Sequence, residues 1–177
     1  KADPSGCNSA DSRGCNQGYG MITMNVGIGE FKLCSRPDEV LKTYGLGSCV
    51  AVAIYDTLQK IAGLLHVAYP ESSVNLKKAE NLPGYFVDTG LPLFLSAMKS
   101  TNIQRQNVAI KLVGGASIMD ESERFNIGKR NVLAIKRVLW QAGLGVLQED
   151  IGGTISRTVC ITAATGEITI SNGTKKW

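Results

Sequence analysis

Val50-Ala51-Val52-Ala53-Ile54-Tyr55, then Asp56-Thr57-Leu58-Gln59-Lys60, then Ile61-Ala62-Gly63-Leu64-Leu65-His66-Val67 is the stretch that decides how this chain folds. Two short apolar runs flank a short polar one, which is the pattern of a β-hairpin. Both faces of the first run are apolar: Val50, Val52 and Ile54 on one, Ala51, Ala53 and Tyr55 on the other. A strand of that kind belongs to an inner sheet, covered from both sides.

The elements around the hairpin follow from the same patterning. Met24 to Leu33 reads as a strand, Ser35-Arg36-Pro37-Asp38 as a turn, and Glu39 to Tyr44 as a second strand ending at Gly45-Leu46-Gly47. A helix is predicted from Tyr85 to Lys99, with a kink at Pro92. Val108 to Val113 reads as a strand ended by Gly114-Gly115. A second helix is predicted from Ile127 to Gln141, stopped by Gly143. Its apolar positions Ile127, Val132, Ile135, Val138 and Leu139 have near-helical spacing. Strands follow near Gly145 to Glu149, Ile155 to Thr162 and Glu167 to Ser171, the last two joined by a turn at Ala164-Thr165-Gly166. Strands outnumber helices. The expected architecture is a layered α/β/β sandwich of mixed sheets with two main helices, not a doubly wound parallel sheet.

A chain of 177 residues suits one domain with a real core. Residues 1–20 are rich in Gly, Ser, Asn and Asp and read as a disordered or extraneous leader, leaving 21–177 as a single domain. Hydrophobic residues make up 44% of the chain and aromatic residues only 6%, and the net charge is +4. The positive residues are scattered, so no nucleic-acid surface is expected. No apolar run is long enough to span a bilayer, so no membrane insertion is expected. Of the five cysteines, Cys7 and Cys15 fall in the leader, and Cys34 and Cys160 have no histidine near them in sequence and read as structural. With one histidine and no Cys-x-x-Cys, no metal site is expected. The body cysteines read as thiols of a reducing, cytoplasmic protein.

Cys49 is the exception. It follows Gly45-Leu46-Gly47-Ser48, a turn whose backbone N–H groups can face a ligand and stabilise an oxyanion; Gly47 and Ser48 are the candidates. A two-residue turn at Thr57-Leu58 would pair Asp56 with Gln59. Counting back along the hairpin then sets Cys49 opposite His66, with Cβ atoms about 5 Å apart. A three-residue loop would move the two to a diagonal. The only histidine in the chain thus falls beside the cysteine that follows the glycine turn. A thiol and an imidazole so arranged serve acyl transfer, the imidazole taking the proton and later delivering it to the leaving group. Asp56 lies at the hairpin tip, about 20 Å from His66, too far to orient the ring. Thr43, at the end of the preceding strand, is better placed to accept an imidazole N–H. By residue type alone, the other reading stays open: buried cysteines are commonly small hydrophobes, and a lone strand histidine is commonly a satisfied core residue.

The segment Thr43-Tyr44-Gly45-Leu46-Gly47-Ser48-Cys49-Val50-Ala51-Val52, with His66 and Pro70, resembles the CheD family of chemoreceptor glutamine deamidases. So do Asp88-Thr89, Gly114-Gly115-Ala116-Ser117, Asn126-Ile127-Gly128-Lys129-Arg130-Asn131, and Asp150-Ile151-Gly152-Gly153 with Arg157. Ala68-Tyr69 and Met119-Asp120 depart from the family's common residues. The resemblance implies a Cys49–His66–Thr43 triad that converts glutamines of methyl-accepting chemotaxis receptors to glutamates through a thioester, with no cofactor. It also implies a CheC-type phosphatase as partner, and with it an alternative role as a regulatory binding module that stimulates that phosphatase. A thiol amidase for small amides is a third reading.

Overall fold

A computed structural model describes residues 20–117, 126–172 and the backbone of 175–176. The expected leader, apart from Gly20, and Met119-Asp120 lie outside the described residues. The strands are β1 (Ile22–Asn25), β2 (Phe31–Cys34), β3 (Glu39–Leu46), β4 (Val50–Asp56), β5 (Ile61–Val67), β6 (Val108–Gly114), β7 (Gln148–Ile151), β8 (Arg157–Thr162), β9 (Ile168–Ser171) and β10 (Lys175–Lys176). The helices are α1 (Leu76–Asn81), α2 (Val87–Ser100) and α3 (Ile127–Gln141). No helix among the described residues is long and apolar enough to cross a membrane.

Two five-stranded sheets form. The central one runs β2-β5-β4-β6-β7 and the outer one β1-β3-β8-β9-β10. Each is mixed, with one parallel pair: β6 with β7 in the central sheet, β1 with β3 in the outer. As the pattern of β4 predicts, every one of its residues is buried. Val50, Val52 and Ile54 pack with Val87, Leu91 and Phe94 of α2 and Ile135 and Leu139 of α3. Ala51, Ala53 and Tyr55 face the outer sheet, among Leu41, Val159, Ile161 and Ile170. The fold is therefore the expected α/β/β sandwich, with β4 in the middle layer. Each large apolar side chain enclosed there contributes roughly 1.5–3 kcal/mol.

Four expectations need correction. Met24 to Leu33 is not one strand. The chain turns through Gly27-Ile28-Gly29 and crosses from the outer sheet (β1) to the central one (β2). The strand expected at Gly145 to Glu149 is β7, three residues later, and that expected at Ile155 to Thr162 begins at Arg157. The short helix α1 was not foreseen. Finally, the hairpin loop is longer than two residues: Asp56 pairs with Ile61 and the loop is Thr57–Lys60. The cause is the Asp56 side chain. Its Oδ1 accepts the N–H groups of Leu58 and Gln59, both at 2.8 Å, and its carbonyl accepts that of Lys60 at 3.0 Å. An aspartate that closes a turn on itself in this way fixes the loop length. Helix α2 runs uninterrupted through Pro92.

Candidate active site

The longer loop moves the hairpin register by two residues. His66 stands opposite Ala51, and Val50 opposite Val67. Cys49 is thus not directly across from His66, as the shorter turn would have it. Since side chains alternate along a strand, a shift of two keeps both residues on the same face, as diagonal neighbours about 7 Å apart at Cβ. That face is the one turned to the outer sheet. Cys49, half-buried, packs against the cluster that includes Ala51 and Leu64.

Thr43 comes to the same place from the other sheet. It lies on β3, fully buried, and its Oγ1 is 2.7 Å from His66 Nδ1. The same hydroxyl donates to the Val26 carbonyl, also at 2.7 Å. A hydroxyl has one proton, and Val26 O can only accept it. Toward the imidazole Thr43 must therefore accept, so Nδ1 carries hydrogen and Nε2 holds the lone pair. Nε2 is buried without a partner among the described residues. The bond from His66 to Thr43 crosses from the central sheet to the outer one.

Burial governs the charges. It lowers His66 from its ordinary 6.5 to about 4. It also raises the Cys49 thiol above 9.0, against the smaller opposing pull of its own backbone N–H. At neutral pH both groups are uncharged. Cys34 is buried in the core and pushed up to about 12 by burial and then by Glu39, so it is not a nucleophile. Cys160 is likewise buried.

The turn that carries Cys49 is clamped by the loop after β6. Gly115 N–H donates to Cys49 O at 2.8 Å, and Ala116 N–H to Gly47 O at 2.7 Å. Gly114 must be glycine: it has φ +117°, and a Cβ there would collide with the Cys49 carbonyl. The C-terminal signature holds that loop in turn. Gly152 N–H donates to Gly114 O at 2.9 Å and Ser117 N–H to Gly153 O at 2.8 Å. Arg157, paired with Asp150 at 3.0 Å, donates to the carbonyls of Gly152 and Ile155.

The two oxyanion candidates separate. Gly47 N–H is already committed to Gly45 O at 2.9 Å. The N–H groups of Ser48 and Cys49 make no backbone hydrogen bond among the described residues. Gly47 therefore shapes the turn, and the open donors are the two that follow it.

One residue at the site was missed as a functional candidate. Asn131, fully buried on α3, donates from Nδ2 to Ser48 O and to Ala68 O, both at 3.0 Å. A signal existed. The buried face of α3 is Gly128, Asn131, Val132, Ile135 and Leu139, and an asparagine on a core-facing stripe calls for a specific partner. Gly128 lets α3 approach, since a Cβ there would collide with Gly115 O.

The model of a family described as CheD chemotactic sensory transduction matches residues 69–172. The probable chemoreceptor glutamine deamidase CheD of Syntrophotalea carbinolica is 44% identical over 153 residues, covering 85% of this chain and 94% of that protein. The probable chemoreceptor glutamine deamidase CheD 1 of Syntrophus aciditrophicus is 39% identical over 147 residues, covering 83% and 92%. Matches of that extent take in positions 43 to 66 wherever they begin. A solved structure, the hypothetical protein YfiH of Bacillus licheniformis, aligns with a TM-score of 0.41 at 12% identity over 70% of this chain and 49% of that one, too distant a likeness to bear on the site.

Proposed function

The chain belongs to the CheD family, and from that membership we propose that it is a protein-glutamine deamidase of chemotaxis, acting on chemoreceptor glutamines through a thioester on Cys49. In this reading it works in the cytoplasm on the cytoplasmic part of methyl-accepting receptors. The observation that carries the mechanism is the fixed tautomer of His66, whose lone pair at Nε2 is free to take a proton. As Cys49 Sγ attacks the carboxamide carbon, Nε2 takes the thiol proton and the carbonyl electrons move onto oxygen. The N–H groups of Ser48 and Cys49 receive that charge. Collapse re-forms the carbonyl and breaks the C–N bond, and the proton on Nε2 leaves with the nitrogen as ammonia. Water then attacks the thioester, giving a proton to Nε2. The C–S bond breaks, the thiol is restored, and the product is a glutamate.

Mass spectrometry of a receptor cytoplasmic fragment incubated with the protein tests this. The expected result is a gain of about 1 Da at discrete glutamines, with ammonia released. An unchanged fragment overturns the proposal. Activity on free glutamine equal to that on the fragment would make the protein a general amidase instead.

Two further outcomes follow from the geometry. Thr43→Val removes both the acceptor for Nδ1–H and the donor to Val26 O. With the ring no longer oriented, kcat is expected to fall about 10- to 100-fold, and the two stranded buried groups are expected to cost about 1–3 kcal/mol in a urea titration. Wild-type kcat in this variant would show that Thr43 does not orient the ring. Secondly, alkylation of Cys49 by iodoacetamide is expected to keep rising with pH beyond 9.0, because burial raises the thiol above that value. A rate that levels off below pH 7 would instead indicate a preformed thiolate–imidazolium pair.

A further inference from the structure

Asn131 pins two carbonyls with one amide group, and the two peptide units it holds are finished differently. In the Ala68–Tyr69 unit the other end is also taken: Tyr69 N–H donates to Tyr85 O at 3.1 Å. In the Ser48–Cys49 unit it makes no backbone hydrogen bond among the described residues. A trans peptide is planar and its C=O and N–H point in opposite directions. Holding Ser48 O toward α3 therefore turns Cys49 N–H away from α3. Asn131 reaches the turn from the helical layer, whereas Cys49 packs on the opposite, inter-sheet side. The amide also has an unmet need, since its Oδ1 is buried with no partner among the described residues. A side chain kept at that cost is kept for its two donors.

We propose that Asn131 is a positioning residue for the deamidation reaction: by fixing the Ser48 carbonyl from behind, it aims the Cys49 N–H at the oxygen of the carboxamide under attack. The inference rests on the deamidase reading given above. It separates two functions of the nucleophile turn. Forming and presenting the thiol belongs to Cys49 and His66, and aiming the oxyanion donor belongs to Asn131 of α3, which holds the Ser48 carbonyl.

The separation gives the test. Asn131→Leu keeps about the shape but cannot donate, and Asn131→Ala removes the group. Each is compared with wild type for kcat and KM on a receptor fragment and for the rate of Cys49 alkylation by iodoacetamide, a substitution that needs the thiol but no oxyanion donor. Far-ultraviolet circular dichroism confirms folding. The expected result is a fall in kcat of about 10²- to 10³-fold, as for loss of one oxyanion donor, with KM and the alkylation rate each within about threefold of wild type. Unchanged kcat overturns the proposal. So does a parallel fall in alkylation and turnover, or failure of both variants to fold, since either assigns Asn131 to the scaffold alone. A wild-type protein that alkylates normally but deamidates no receptor fragment would overturn the deamidase reading, and the proposal with it.

Discussion

Alanine at Cys49 is expected to abolish the approximately 1 Da gain at receptor glutamines, a loss of at least about 10⁴-fold in kcat, as expected when a covalent nucleophile is removed. The expectation follows from the surroundings of the other thiols. Cys34 and Cys160 are buried in the core, so neither can stand in for Cys49. The substitution removes one sulfur from a half-buried position on the edge of the inter-sheet cluster. Its effect on stability is expected to stay within about 1 kcal/mol. Folding and catalysis therefore come apart in this variant. A wild-type thermal transition with no deamidation is the expected pair of results. Deamidation at anything near the wild-type rate would remove the thioester from the mechanism.

Glutamine at His66 is expected to lower kcat about 10²- to 10⁴-fold, the range associated with loss of general acid–base transfer. The same variant has a second signature. In the folded chain His66 titrates at about 4, against 6.5 for an ordinary histidine. Below pH 6.5 the unfolded chain takes up a proton that the folded chain refuses until about pH 4. The contribution to stability is thus fully present above pH 6.5 and is lost as pH falls through that window, by about 3 kcal/mol in all. His66→Gln cannot titrate, and its stability is expected to fall less over the same window. Urea midpoints at pH 7 and pH 4 measure the difference. Equal acid sensitivity in the two proteins would mean that His66 is not held neutral by burial.

Much of this site was legible in the sequence because it is built from short-range pattern. The double-faced apolar run from Val50 to Tyr55 announces a middle layer, and the glycine turn before Cys49 announces a backbone free to bend. The placing of His66 on the face that carries Cys49 does not depend on the loop length, because side chains repeat every two residues along a strand. What was not legible depends on contacts distant in sequence or on a single side chain. The loop length is set by Asp56 folding back on its own turn, a choice that propensity does not reveal. The break between β1 and β2 is a change of sheet, visible only when both sheets exist. Asn131 meets Ser48 from far along the chain, and only the approach of Gly128 to Gly115 brings them together.

The hydrogen bond between Thr43 and His66 has its two ends in different layers. Neither the hairpin of β4 and β5 nor the outer sheet contains both ends of that bond. A nascent chain, or one whose layers have come unzipped, holds a cysteine with an unanchored imidazole near it and no means of directing that ring. In the proposed mechanism, the chemistry therefore requires the final docking of the layers. On that mechanism, turnover reports on assembly, and damage that loosens the sandwich far from Cys49 is expected to lower kcat before the chain unfolds.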